Sequence, residues 1–316
     1  MVPALDILRA ASDATRLRVL ALLRSMELSV GELAQVLAQS QPRVSRHVKI
    51  LCDAGLAVRR KEGSWVFVAL GSPAIVTPLI EAIDAWVPEG DHWRLADSAR
   101  LAAVRADRAA AAAQWFELHA GEWDAIRSLH VAEEQVEAAM ARALGPTPID
   151  LLVDIGTGTG RMLELFGPQA RHAVGIDRSS EMLRLARAKL TGRVDHVELR
   201  QADLYALPLA AGAADAAVLH HVLHFAQHPG AAIAEAARVL GPGGRLLICD
   251  FAPHEREDLR VRDAHARLGF SDEQMLGWFG DAGLSPVSIE TLEGAELTVK
   301  LWMGRRSDGV RKVKAA

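Results

Sequence analysis

Apolar positions along the chain change period twice. Between residues 3 and 56 they recur at helical spacing in short bursts: Leu5 and Leu8, then Leu17, Leu20 and Ala21. The next stretch, SVGELAQVLAQ, opens a helix at Ser29 or Val30 and turns at Gln39 to Gln41. PRVSRHVKILCDAG then runs as a further helix, which Gly55 stops. After Gly55 the pattern becomes AVRRKEGSWVFVAL, where Val58, Trp65, Phe67 and Ala69 approach strand alternation around a Glu62-Gly63 turn. Residues 73–144 read as helix again, rich in Ala, Glu and Arg, interrupted at Pro88 to Gly90 and closed by Gly145-Pro146-Thr147-Pro148. From Ile149 onward strand-like runs (DLLVDIG, HAVGID, VELRQAD, DAAVLHHVL, GRLLICDF) alternate with amphipathic stretches, which predicts a parallel sheet covered by helices. The last run, GLSPVSIETLEGAELTVKLWMG, reads as two strands joined at Glu293-Gly294, an antiparallel edge.

The expected organisation is therefore residues 1–72 as a helix-turn-helix with a two-stranded wing, 73–148 as a helical linker, 149–304 as an α/β domain, and 305–316 as a basic, disordered tail. A chain of 316 residues, half of them hydrophobic, has room for two cores. It contains no apolar run of 18 residues, and MVPALDILRAASD lacks the basic-then-apolar pattern of a secretory signal. Cys52 and Cys249 are isolated, so a reduced, cytoplasmic protein without a disulfide framework or cysteine metal cluster is expected.

Charge adds a polarity to that picture. Residues 1–70 carry ten Lys/Arg against six Asp/Glu, whereas residues 71–148 carry six against twelve. A basic head on an acidic body suits one-ended contact with an anionic polymer. Val44, Val48 and Leu51 fall at i, i+4 and i+7, a buried stripe. Arg46 and Lys49 then lie on the opposite face, with Arg43 near it and Ser45 and His47 at its flanks. Such a face can enter a major groove, where arginine reads guanine. Gln41 opens the helix, and Arg59, Arg60 and Lys61 lead into the wing turn, placed to grip phosphates. Three charges alone would favour a simply solvated face. The ordered set TRLRVL, GELA, SRHVKIL, AGL and EGSW decides for DNA, because over residues 5–70 it resembles the ArsR-type winged helix-turn-helix regulators. That resemblance implies a homodimer on a two-fold symmetric double-stranded operator, with dimer contacts from the first helix and from the helix after the wing, near residues 73–86. The family's metal-sensing positions are not matched. Ser29 and Gly31 stand where many members have thiolates, and Asp84 and His92 lack the spacing of the other site, so no metal is expected.

In DIGTGTG, glycines at 156, 158 and 160 follow a buried strand and precede an amphipathic stretch. Arg161 occupies the third glycine position of a dinucleotide fingerprint, which disfavours a pyrophosphate cradle. Asp154 at the strand end suits an amino group. HAVGID ends in Asp177, whose carboxylate can take both hydroxyls of a ribose, and QADL places Asp203 at a third strand end. DIGTGTG, GIDRSSEMLRLAR, ADLYALPL, DAAVLHHVLHF and ARVLGPGGRLLICDF resemble, in order over residues 149–252, the class I S-adenosylmethionine-dependent methyltransferases. The resemblance implies a donor site in which Gly156, Thr157, Gly158 and Gly160 wrap the methionine part and Asp177 with Arg178 meets the ribose. Met182 would pack near the adenine, which Ala202, Asp203 and Leu204 cap, with Asp154 and His220 completing the site.

Catalysis would fall to His220, His221 or His224 after the fourth strand, though histidines there also line pockets or pack. Trp115, Phe116 and Trp123 form either a lid or ordinary helix packing, and His254 and His265 lie where acceptor pockets form. Two functions remain open. One is a regulator whose methyltransferase-like domain senses S-adenosylmethionine or S-adenosylhomocysteine. The other is an active methyltransferase of a small acceptor carrying its own DNA-binding domain.

Overall fold

The computed structural model describes residues 4–24, 26–62, 65–86, 91–119, 132–194, 196–294 and 296–307. The chain divides into two compact units, residues 1–111 and 112–316. Among the described residues no helix is long and apolar enough to cross a membrane.

The first unit is built from local signals. Helix α1 (Ala4–Ala11) is followed by α2 (Ala14–Leu23), whose N-cap Asp13 accepts from the Arg16 N–H at 3.0 Å. Strand β1 (Leu28–Ser29) leads into α3 (Val30–Leu37) through a reciprocal capping box. The Ser29 hydroxyl accepts from Glu32 N–H at 3.2 Å, and Ser29 N–H donates to the Glu32 carboxylate at 2.6 Å. Ala38, at φ 53°, ends α3 in the left-handed conformation and turns the chain into α4 (Gln41–Asp53). Strands β2 (Ala57–Glu62) and β3 (Trp65–Leu70) pair antiparallel from Ala57↔Leu70 to Glu62↔Trp65, and β1 adds to the other side of β3, giving the order β1-β3-β2. Gly71 packs so close to the Gly55 carbonyl that a Cβ there would lie 2.0 Å from its oxygen. Two helices follow, α5 (Pro73–Trp86) and α6 (His92–His119).

The core of this unit joins Val19, Leu20, Leu33, Val36, Val44, Val48, Leu51, Leu56 and Val68 to Leu101 and Val104 of α6. Each fully buried aliphatic side chain contributes roughly 1.5–3 kcal/mol. The stripe expected on α4 is therefore the one that is buried. Helix α1 forms as its spacing predicts, but Leu5 and Leu8 are 62% and 58% exposed, and Ala10 and Ala11 are its buried residues. Val58 points outward at 40% exposure, on the face of β2 opposite the buried Ala57.

The second unit is a seven-stranded sheet. Helix α7 (Glu133–Leu144) precedes β4 (Ile149–Ile155), α8 (Arg161–Phe166), β5 (Ala170–Asp177), α9 (Ser180–Leu190), β6 (Val197–Gln201) and β7 (Ala214–His220). Then come α10 (Pro229–Val239), β8 (Leu240–Phe251), α11 (Asp258–Arg262), α12 (Asp272–Asp281), β9 (Leu284–Leu292) and β10 (Val299–Arg306). The order is β6-β5-β4-β7-β8-β10-β9, parallel from β6 to β8, with β10 antiparallel to both of its neighbours.

Alternation along the strands feeds two cores. Leu152, Leu247 and Leu301 join Met140 and Leu144 of α7, while Val153, Leu219, Ile248 and Trp302 join Ile233 of α10 and Phe279 of α12. The expected antiparallel edge is present, but the final strand inserts between β8 and β9. The expected tail begins too early, since Arg305 and Arg306 belong to β10 and the Arg306 guanidinium donates to carbonyls of Ala237, Arg238 and Leu240. Chain order reverses between β4 and β7, so a ligand crevice is expected at the carboxyl ends of these strands.

Candidate functional site

In the first unit, burial of Val44, Val48 and Leu51 turns the opposite face of α4 outward. Gln41, Arg43, Arg46 and Lys49 are exposed there. Several of the expected DNA contacts are already engaged. Lys49 pairs with Asp53 at 2.7 Å, His47 leans toward Asp13 at 3.6 Å, and Arg60 pairs with Glu27 of the segment preceding β1. Arg59 donates to the Ser45 carbonyl at 2.7 Å, which braces the wing against α4. Among the described residues, Arg43, Arg46 and Lys61 are exposed and form no ion pair, so they can meet an anionic duplex without giving up a partner. Gln41, Ser45 and Arg59 share a groove with Ser29, Glu32 and Gln35 of the preceding helix and its cap. Cys52 is half-buried, and burial raises its thiol pKa, which argues against a reactive thiolate.

Replacing Arg46 by alanine is expected to cost about 1–3 kcal/mol in operator affinity and relax preference at one base pair. Replacing Lys61 should weaken all sequences alike and flatten the salt slope by about 0.9 for each phosphate no longer neutralised. Anisotropy titrations at several salt concentrations check both, and an unchanged affinity for Arg46→Ala would sink this placement of α4.

In the second unit the glycine loop after β4 is held by its own backbone. Gly156, Gly158 and Gly160 have φ of 74°, 52° and 84°, a region that L side chains rarely occupy. At Gly156 a Cβ would also lie 2.5 Å from Val222 Cγ2, and at Gly160 2.9 Å from Leu190 Cδ1. The Gly156 and Thr157 N–H groups donate to the Ile176 carbonyl at 2.7 and 2.9 Å, tying the loop to the end of β5. Asp154 is buried and accepts from the Thr157 hydroxyl at 2.6 Å.

Asp177 is the hinge of this arrangement. One carboxylate oxygen accepts from Gly158 N–H at 2.9 Å and the other from Ser179 N–H at 2.8 Å. Burial pushes its carboxyl above the usual range, against those backbone donors. Arg178 is exposed beside it, and its carbonyl accepts from Gln201. Met182 is buried on α9, capped by the Ser179 hydroxyl. Ala202 N–H donates to the Asp177 carbonyl, Asp203 is exposed with its carboxylate on Tyr205 N–H, and Leu204 packs on the core. Asp154, Asp177 and Asp203 thus sit at or just beyond the ends of three adjacent strands.

Beyond β7 the histidines gather. His220 is the last residue of that strand, and His221, at φ 54°, turns the chain into a short helical turn carrying His224. All three are buried, as is His265. Phe251 lies among them, with ring centroids 4.8 Å from His221, 5.0 Å from His224 and 5.7 Å from His265. The residue that sequence reasoning missed is Asp250 at the end of β8. It is fully buried, accepts from the Phe251 and His224 N–H groups, and lies 2.7 Å from His224 Nδ1. Burial raises its carboxyl to about 6. Its only signal in the sequence was its place at a strand end. Trp115 and Phe116 fall on α6, where side chains are not described, and Trp123 lies outside the described residues.

Comparison with known proteins matches both halves. Residues 13–58 match the bacterial regulatory protein, arsR family, and residues 153–248 match the methyltransferase domain family. The arsenical resistance operon repressor of Escherichia coli is 40% identical over 84 residues, 26% of this chain and 71% of that one. The demethylmenaquinone methyltransferase of Thermus thermophilus is 38% identical over 166 residues, 51% of this chain and 74% of that one. Several other curated relatives are matched over about half their length, 41–51%. The solved YcgJ protein of Bacillus subtilis shares the fold with a TM-score of 0.50 at 19% identity, covering 56% of this chain and 100% of its own. The chain belongs to the arsR family of bacterial regulatory proteins through its N-terminal winged helix, fused to a class I S-adenosylmethionine-dependent methyltransferase domain.

Proposed function

We propose that the protein is a dimeric DNA-binding transcriptional regulator, acting in the cytoplasm, whose methyltransferase-like domain binds S-adenosylmethionine or S-adenosylhomocysteine as effector. The observation that carries this reading is the Asp177 carboxylate, fixed by Gly158 and Ser179 N–H groups at the end of β5, beside a glycine loop that admits no side chain at Gly156 or Gly160. A carboxylate so oriented suits a pair of ribose hydroxyls, and the bare backbone suits the methionine moiety. Arg43, Arg46 and Lys61 would carry the duplex, with Gln41, Ser45 and the Arg59 brace shaping the edge of that face. Arg60, His47 and Lys49 would contribute after leaving their present partners. The exposed Leu5 and Leu8 of α1, with Trp86 of α5 at 76% and Leu95 of α6 at 59% exposure, support a self-association surface.

A second reading, methyl transfer to a small acceptor, draws support from the buried His224–Asp250 pair, which has the form of an oriented general base. Operator binding measured with neither ligand, each ligand and both, at fixed salt, separates the two. A sensor requires a coupling of about 1–3 kcal/mol, 5–150-fold, and the same factor must appear when operator is added to a ligand titration. The homocysteine form should act more strongly, because the two ligands differ by a methyl group and a positive charge. Operator affinity indifferent to saturating concentrations of both ligands would leave the DNA-tethered enzyme as the better account.

A further inference from the structure

Five histidines, one aspartate and one cysteine converge where β7 and β8 end, and neither adenosyl binding nor DNA binding uses most of them. The convergence has a backbone cause. Strands β7 and β8 are parallel neighbours, with His220 opposite Cys249, so both chains leave the sheet at the same level. The left-handed turn at His221 then folds His224 back over β8, where its N–H meets the Asp250 carboxylate. The segment after β8 returns the same way, its Ala266 and Arg267 N–H groups donating to the His224 carbonyl, and this brings His265 to 4.2 Å from the His224 ring.

The resulting donor set is specific. One donor atom each from His221, His224 and Asp250 lies within 4.8 Å of the others, and all three residues are buried. A point at the centre of such a triangle is at most about 2.8 Å from each donor, roughly 0.7 Å beyond a zinc–nitrogen bond of ~2.1 Å. Small ring and carboxylate rotations close that gap. Two imidazoles and one carboxylate suit borderline divalent ions, and three protein ligands leave a coordination position open.

We propose that His221, His224 and Asp250 form a binding site for one divalent transition-metal ion of the zinc class. The ion sits at the carboxyl ends of β7 and β8, on the rim of the crevice that begins at β4, with Phe251 and His265 as its wall. Its open position would take water or an oxygen, nitrogen or sulfur atom of a small molecule. The donors come from the methyltransferase unit, far in sequence from the sensor positions of the winged helix, which explains why Ser29 and Gly31 gave no sign of it. A second triad, His220, His221 and Cys249, shares His221 and offers a thiol instead of a carboxylate. We assign the ion to the carboxylate triad because the His224 Nδ1 and Asp250 carboxylate already face each other across a 2.7 Å hydrogen bond, whose proton the ion displaces as the two donors move apart.

The test uses the full-length protein, stripped with chelator and titrated with zinc(II) or cobalt(II) chloride. One equivalent is expected to bind, cobalt giving visible ligand-field bands without a thiolate charge-transfer band, and the thermal midpoint should rise with free zinc. His221→Asn keeps a residue tolerant of the left-handed backbone, and His224→Gln keeps the polarity of the site. Each should weaken binding at least about 100-fold, and Asp250→Asn at least about 10-fold. Cys249→Ser and the exposed pair His172→Ala with His196→Ala should leave binding unchanged. The wild-type cobalt spectrum and stoichiometry decide the matter even where a variant fails to fold. Absence of a bound equivalent, a thiolate band, retention of affinity in the His221→Asn, His224→Gln double variant, or loss on removing His172 and His196 would each overturn the site.

Discussion

Asp177→Ala is expected to reduce affinity for S-adenosylmethionine and S-adenosylhomocysteine by one to two orders of magnitude, while the winged helix still folds and binds operator. The size follows from what is removed. A hydrogen bond to a charged group contributes about 1.5–3 kcal/mol, and this carboxylate would meet two ribose hydroxyls. It also anchors Gly158 N–H and Ser179 N–H at 2.9 and 2.8 Å, so alanine releases the glycine loop and the entry to α9 together. Asp177→Asn separates these effects. It keeps one acceptor for the backbone but loses the charge, and should fall between wild type and alanine. Gly156→Ala attacks the same cradle by another route, placing a Cβ on Val222 with φ at 74°. Calorimetry reads ligand affinity, and circular dichroism reports folding of each variant. Unchanged affinity in Asp177→Ala would remove the donor-site reading altogether, whatever the operator does.

What the sequence made legible was whatever local chemistry dictates. The Ser29–Glu32 capping box, the Val44–Val48–Leu51 stripe and the glycines of DIGTGTG each lie within a few residues, where periodicity and backbone geometry suffice. Asp154, Asp177 and Asp203 were legible for a related reason: in a parallel sheet the end of each strand delivers its last residue to the same rim. What was not legible depends on partners far along the chain. Insertion of β10 between β8 and β9 is a pairing that no hairpin rule requires. The His224–Asp250 pair spans 26 residues and appears only once β7 lies beside β8. Leu5 and Leu8 have the spacing of a core face, yet α1 rests on its alanines, because burial depends on what a helix packs against and not on its period alone. Arg60 reads as a phosphate contact until Glu27, 33 residues earlier, is found beside it.

The longest such link among the described residues of the first unit carries the second large effect. Arg18 of α2 meets Asp97 of α6 through two parallel hydrogen bonds of 2.7 and 2.6 Å, and Arg100 approaches the same carboxylate at 3.4 Å and the Val36 carbonyl of α3 at 3.4 Å. Asp97, Leu101 and Val104 stand at i, i+4 and i+7, and all three are buried. One face of α6 therefore closes the winged-helix core with two apolar contacts and one ion pair. Removing one partner of a buried pair strands the other, at a typical cost of 3–5 kcal/mol. Arg18 keeps a fifth of its side-chain exposure and can rehydrate in part, so Asp97→Ala should lose about 3 kcal/mol, the lower end of that range. In a unit of this size that lowers the thermal midpoint by about 12 °C or more. The double variant Arg18→Ala, Asp97→Ala should recover part of the loss, because it leaves no stranded guanidinium. If α6 also transmits effector occupancy to the DNA-binding face, Asp97→Ala assayed well below its midpoint should keep operator affinity yet lose the ligand response. Calorimetric unfolding unchanged by Asp97→Ala would show that the apolar contacts of Leu101 and Val104 hold α6 without the ion pair. A normal ligand response in a destabilised variant would instead place the coupling on another element.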